Sequence, residues 1–453
     1  MPLVKPAVIG SLLITRLRGS TILRSTIAKN AASLYVIQFA NYIIPIITIS
    51  YLVRVLGPTS YGVVAFAQSL INYFMVFVDY GFNLSTTRSI SVQRDDLNAI
   101  SRVVFNTWVA KVTLSVLGLV GLGLLIFCVP FIAELSLLML TLYGIVIGNV
   151  LMPVWLFQGM ERMETIALIN LGSRILATIA MLLMIHKPED YLLYAALLSG
   201  SALASGLVGA FLGIRMFKLR PVRPSWSGIW AALREGWLLF IGTVSGNVYV
   251  TGNAFVLGML TNHTVVGYYS AAERVVRGLS GLLGPVSQAA FPSASKMAAT
   301  SRVGALRQVR SILMLMSAVG LVLSGLLFFG ASTLVHVLLG PAYEPSVAVV
   351  RVLAPLPALI SISTVFGLQV ILPFRKDLVF TSILVTAALL DLAAALLLVP
   401  SFGESGMGLA LLLTEIFVTS ATGLACLHYG LNPVVRRRAD YLSSEEITNA
   451  SRL

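Results

Sequence analysis

Glu273, Arg274 and Arg277 stand together in an otherwise apolar stretch of the chain. At bilayer depth an ionisable side chain costs several kcal/mol unless it is paired or hydrated, so each such group is a candidate for function. Glu273 and Arg277 are four residues apart, which places them on one helix face and predicts an ion pair. Arg274 lies about 100° further round, so that pair does not absorb its charge. Gly281, Gly284 and Gln288 continue the face with little bulk and a polar end. A guanidinium presents a planar fork of donors that matches carboxylate and phosphate oxygens. The face therefore suits a wet cleft, with a purely structural ion pair as the alternative. Arg174, in another apolar stretch with no acid nearby on its helix, is a candidate to line a cavity.

Uncharged polar groups recur at helical spacing. Gln38, Asn41, Tyr42, Pro45 and Thr48 follow one another at steps of three and four, as do Gln68 and Asn72 with Asp79 beyond, and Ser245, Tyr249 and Asn253. Each series lines one helix face, suited either to interhelical hydrogen bonds, worth about 1 kcal/mol each, or to a polar cavity. Asp391 and Glu415 lie deep in apolar runs. Asp391 is expected to pair with Arg351 across adjacent helices, and a proton-coupling role for either acid is the alternative. Lys111 and Arg351 are expected nearer the membrane faces, within snorkelling reach.

The elements that position these groups follow from composition. Of 453 residues, 57% are hydrophobic and 11% charged, against roughly 25% charged in a soluble chain. A soluble enzyme and a disordered chain are both excluded. A span needs about 20 apolar residues, and twelve candidates lie near 32–54, 61–82, 103–128, 133–156, 164–185, 191–214, 237–260, 266–291, 311–335, 346–372, 378–399 and 406–428. The break between the third and fourth rests on Pro130 and Glu134 alone. Pro45, Pro153, Pro285, Pro355 and Pro357 fall inside spans, where each permits a kink.

Net charge is +13, a surplus that in a soluble protein would suggest nucleic acid. Here Lys and Arg fall overwhelmingly in alternate inter-span segments, from Lys5, Arg16 and Arg18 to Arg436, Arg437 and Arg438, while Arg54 and Lys187 alone lie opposite. That asymmetry predicts both termini in the cytoplasm and no nucleic-acid partner. The first thirty residues lack a small-residue cleavage site after their short apolar run and read as an amphipathic cytoplasmic lead-in.

Lys218 to Glu235, with Pro221, Pro224 and four basic residues, divides the spans six and six. The expected organisation is a lead-in (1–30), an N-terminal lobe (31–216), a cytoplasmic linker (217–235), a C-terminal lobe (236–430) and a cytoplasmic tail (431–453). Six spans per half predicts parallel repeats related by a pseudo-two-fold axis along the membrane normal. Leu56-Gly57-Pro58-Thr59-Ser60-Tyr61-Gly62 and Leu260-Thr261-Asn262-His263 through Gly267 support it, since Gly62 and Gly267 are 205 residues apart with Gln68 and Glu273 at matching offsets. The expected fold is an all-α polytopic membrane protein of about twelve transmembrane helices in two six-helix lobes.

The four histidines fit no metal-ligand spacing, and no phosphate-binding loop or nucleophile motif occurs, so no catalytic residue, metal or cofactor is expected. Cys128 and Cys426 belong to opposite membrane faces, beyond disulfide reach.

Asn41 to Gly62, ending YLVRVLGPTSYG, resembles the first span of polysaccharide flippases of the multidrug/oligosaccharidyl-lipid/polysaccharide exporter superfamily. Asp79-Tyr80-Gly81 with Arg88, Pro153 to Gly159, Val266 to Arg274 (similar to the eighth span of O-antigen-type flippases) and Gly340 to Arg351 extend the likeness over about residues 20 to 430. The resemblance implies two six-helix lobes round a cavity that opens alternately to each side of the bacterial inner membrane. It implies export of an undecaprenyl-pyrophosphate-linked oligosaccharide, with polysaccharide polymerase or chain-length machinery as possible partners. Many relatives carry an acid in the seventh span near Asn253, which is neutral here. Arg274, Arg277 and Arg174 are then the expected pyrophosphate ligands. Asn41, Tyr42, Gln68, Asn72, Tyr249 and Asn253 are the expected cavity and sugar contacts, with Asp79, Glu273, Asp391 and Glu415 for coupling or structure. The rival readings are a cation-coupled drug exporter of the same superfamily and, from another class, a membrane glycan polymerase or ligase.

Overall fold

The computed structural model describes residues 44–284, 287, 297 and 302–431, and of residues 238, 239 and 241–250 the backbone only. In hydrocarbon every backbone polar group must be bonded internally, so apolar runs of this length have the helix open to them. The only regular secondary structure among the described residues is helix, with no strand. Eight of their helices are long and apolar enough to cross a membrane.

Two of these, Ile44–Val92 with 49 residues and Asp377–His428 with 52, are too long for one crossing. At about 1.5 Å per residue each would reach well over twice the roughly 30 Å hydrocarbon core. Each turns at a glycine in a left-handed conformation, Gly57 (φ +71°) and Gly403 (φ +54°), and the first breaks again at Tyr80 and Gly81. We number the parts of the first α1 (44–56) and α2 (58–79). There follow α3 (Phe82–Val92), α4 (Leu97–Cys128), α5 (Ser136–Leu151), α6 (Val154–Gly159), α7 (Met163–Met184) and α8 (Tyr191–Met216). The C-terminal half holds α9 (Trp226–Thr251), α10 (Asn253–Leu260), α11 (His263–Ser280), α12 (Arg302–Leu334), α13 (Ser346–Leu353), α14 (Leu356–Thr364) and α15 (Asp377–His428).

Local chemistry sets the boundaries. The Asp96 carboxylate caps α4 by accepting from the amides of Asn98 (2.9 Å) and Ala99 (3.0 Å), satisfying two donors that helix geometry leaves open. Asn262 does the same for α11 through the Val265 amide. The expected break near Pro130 is present: α4 ends at Cys128, a single turn covers Pro130–Ala133, and α5 begins at Ser136. The fourth span breaks at Met152 and Pro153. Between α5 and α8 small residues set the distance, because a Cβ on Gly148 would stand 2.4 Å from the Ala202 backbone. Close approach of this kind replaces the hydrophobic drive that lipid does not supply. Both cysteines are free, Cys128 exposed and Cys426 buried.

The two halves meet along α2, where the expected repeat becomes visible. A Cβ on Gly62 would lie 1.8 Å from the His263 carbonyl oxygen, and one on Gly267 would lie 2.0 Å from the Pro58 carbonyl oxygen. Pro58 and His263 share the 205-residue offset of the two glycines, and so do Thr59 and Thr264, whose hydroxyls are 2.8 Å apart. Equivalent residues thus face each other across a local two-fold axis. At this same end, exposed Arg54 of the N-terminal half donates to the backbone carbonyls of His336 and Val337, just beyond α12. Toward the other end the halves are joined by aromatic rings: Tyr80 stacks on Phe240 with centroids 4.7 Å apart, and Phe77 meets Phe240 edge-on.

Candidate functional site

Arg274 projects from α11 into solvent within the bundle and reaches across to the N-terminal half. Its guanidinium donates to the Gln68 side-chain oxygen at 2.7 Å and lies 5.7 Å from the centre of the Tyr61 ring. That ring position falls within cation–π range. Tyr61 is wholly buried, so it offers the charge a fixed aromatic face. Tyr194 of α8 is a further hydrogen-bond partner of the guanidinium, and the Arg274 side chain as a whole is exposed, as anion binding requires. As the spacing predicts, Arg277 pairs with Glu273, its Nε and a terminal nitrogen each 2.8 Å from the same carboxylate oxygen. Three charges thus lie on α11, with the pair compensated and Arg274 turned to Gln68.

Arg277 also lines a cavity of about 270 Å³ in the C-terminal half, with Ser363, Thr364, Phe380, Leu411 and Glu415 on its walls. Glu415 is buried and accepts from the Ser363 hydroxyl at 2.7 Å. Asp391, likewise buried, accepts from Thr414 at 3.2 Å. The expected Arg351–Asp391 pair does not form. Arg351 is exposed, and the nearer donor to Asp391 stands on the second arm of its own α15 hairpin.

In the N-terminal half, Asp79 forms an ion pair with Lys111 at 2.9 Å. Lys111 does not snorkel to a membrane face. Its side chain is 1% exposed, and its ammonium also donates to the side-chain (2.9 Å) and backbone (3.3 Å) oxygens of Asn149. Three helices, α2, α4 and α5, converge there, and an ammonium without those oxygens could not be buried.

The other expected residues are distributed as follows. Gln68 and Asn72 are half-buried on α2. Asn253 is buried between α10 and α11, donating to the Tyr269 hydroxyl at 3.4 Å, beneath the accessible surface rather than on it. Arg174 is exposed on α7, one turn before Thr178, which meets Thr48 of α1 at 3.0 Å. Asn41, Tyr42 and Gln288 lie outside the described residues, and Tyr249 is described by its backbone only. The sequence reading did not single out Arg54, Thr59, Thr264 or Asn149. The offset already noted for Gly62 and Gly267 was a sufficient signal for the threonine pair.

The family model described as "Polysaccharide biosynthesis protein" matches residues 27–298. A protein of Escherichia coli (strain K12) named for O-antigen transport is 32% identical over 395 residues, covering 87% of this chain and 95% of the relative. One from Shigella dysenteriae, named likewise, is 28% identical over 401 residues, covering 86% and 97%. Among solved structures, the fold is similar to the lipid II flippase MurJ in an inward closed conformation (TM-score 0.69, 12% identity, 90% and 88% of the two chains). It is also similar to an inward-facing multidrug resistance MATE family transporter (TM-score 0.59, 13% identity, 87% and 96%). The chain is a multi-pass membrane protein and belongs to the polysaccharide biosynthesis protein family.

Proposed function

We propose that the chain is a flippase that carries an undecaprenyl-pyrophosphate-linked oligosaccharide, an O-antigen or other surface polysaccharide repeat unit, from the cytoplasmic to the periplasmic leaflet of the bacterial inner membrane by alternating access. The observation that carries this reading is Arg274, an accessible guanidinium held between the two halves by Gln68 and Tyr61. A pyrophosphate cannot cross hydrocarbon bare, and a guanidinium fork in a wet cleft replaces part of its hydration. Arg277 and Arg174 are the further headgroup ligands, with Gln68 and Asn72 among the polar groups available to sugars. The isoprenoid tail stays in the bilayer. With the cell interior negative, each negative charge moved outward gains about 2.3 kcal/mol per 100 mV, so membrane potential contributes to the drive. The Gly62 end is periplasmic in this reading, with both termini cytoplasmic and lobes bounded at 31–216 and 236–430. The crossing of Gly62 with Gly267 is then the closed outer gate.

Arg274→Ala and Arg277→Ala, each at normal protein level, are expected to leave the lipid-linked glycan in the cytoplasmic leaflet. Full export by both variants would remove the headgroup assignment. A reversible Thr59→Cys/Thr264→Cys disulfide is expected to stop export until reduced, and export through the oxidised protein would sink the gate. The buried acids Asp391 and Glu415 favour a second reading, a cation-coupled drug exporter. Efflux of cationic dyes by the purified chain, with no effect of deletion on glycan export, would select it.

A further inference from the structure

His263 heads α11 and sends its ring from the C-terminal half into an aromatic pocket of the N-terminal half. The imidazole lies parallel to Phe131 (centroids 5.1 Å apart, 17° between planes) and edge-on to Phe66 (5.6 Å). Its Nδ1 is buried and has no hydrogen-bond partner among the described residues. The backbone carbonyl of the same residue forms the floor under Gly62, so ring and crossing move as one. Phe66 also stacks on Phe255 at 5.2 Å, which makes the pocket part of the seam between halves. The charged group acting on the ring is Glu134, from the turn before α5, while α2 and α10 bring Phe66 and Phe255 against the same place.

We propose that His263 is a proton-binding site that couples the outer gate to periplasmic pH: the neutral ring seats in the Phe66–Phe131 pocket and holds the crossing closed, and a proton taken from the solvent at that end expels it. The protonated ring carries N–H on both nitrogens as well as a charge, and the pocket offers the buried one no acceptor. Burial pushes the imidazole below its ordinary value, and the opposing pull of Glu134 offsets this only in part. The closed form thus binds the proton less tightly than the open form. Its advantage is whole above the ordinary imidazole value of about 6.5 and is lost as pH falls below it. Each pKa unit separating the two forms changes the closed-to-open ratio tenfold. The repeat-related position in the other half is Pro58, so the site exists once per chain.

The inference rests on reading the crossing as a gate, and the Thr59–Thr264 disulfide tests that reading separately, by export. For His263 itself the readout is the distance between spin labels at Glu189→Cys and Val337→Cys, both exposed and one in each half, with Cys128 changed to Ser. Measured on the full chain in lipid nanodiscs from about pH 8 to about pH 5.5, the distances are expected to gain a longer population below the imidazole midpoint. His263→Gln and His263→Phe are expected to hold one distribution throughout. His336→Gln, whose ring pairs with Glu344 inside one half, is expected to keep the pH response. A response that survives in His263→Gln, vanishes in His336→Gln, or is missing from the parent protein overturns the proposal.

Discussion

Removing either member of the Asp79–Lys111 pair breaks the same 2.9 Å contact, yet the two losses are unequal. The Lys111 side chain is 1% exposed and the Asp79 side chain 23%. In Asp79→Asn the ammonium stays buried with neutral oxygens only, those of Asn149 and the new amide. Removing one partner of a buried pair costs roughly 3–5 kcal/mol, because the other is left as an uncompensated buried charge. In Lys111→Met the carboxylate left behind can hydrate through its accessible edge, so we expect about 1–3 kcal/mol. The double variant leaves no stranded ammonium and should be more stable than Asp79→Asn by about 2 kcal/mol, the sign of direct coupling. Thermal inactivation of the detergent-solubilised protein, compared at one heating rate because unfolding of such chains is irreversible, gives the ranking. Lys111→Met falling below Asp79→Asn, or the double variant falling below both, would refute the reasoning.

Two further outcomes concern the seam between halves. Gly62→Ala and Gly267→Ala each place a methyl within 2.0 Å of a carbonyl oxygen, so the crossing must part by more than about 1 Å to restore ordinary C···O contact. Both should lower the yield of the Thr59→Cys/Thr264→Cys disulfide alike, and loss in only one would contradict the two-fold arrangement. Arg54→Ala removes the donor to the His336 and Val337 carbonyls. Maleimide labelling of Thr264→Cys in that background should speed up several-fold, consistent with about 1 kcal/mol for a charged hydrogen bond at an exposed site. Unchanged labelling would show that Arg54 does not hold the gate.

Much of the architecture is legible from periodicity and charge because a membrane span has few alternatives. The Glu273–Arg277 pair follows from helical spacing on one element, and the Pro130 break from loss of a backbone donor. Contacts between helices were harder. Asp391 takes Thr414 rather than Arg351, and Lys111 finds Asp79 and Asn149 from two other helices. When a helix is apolar nearly all round, its pattern does not fix its rotation, and so its partners stay open. Asn253 shows the same limit: its spacing with Tyr249 matches a polar face, but packing turns it inward to Tyr269. Arg54 was legible as a charge outside the spans, whereas its carbonyl partners lie 282 and 283 residues away.

The contact at Gly62 has a further meaning. Residue 62 rests on 263 while 267 rests on 58, and 59 meets 264. This reciprocal pairing is the signature of an isologous interface, the kind that joins two identical subunits. Each half therefore carries at this crossing both sides of one mating surface, as the subunits of a homodimer do. Fusion into one polypeptide removes the obligation to keep both sides alike. Pro58 and His263 mark one place where the halves have diverged, so a change that would strike both subunits of a dimer can here be made on one side alone.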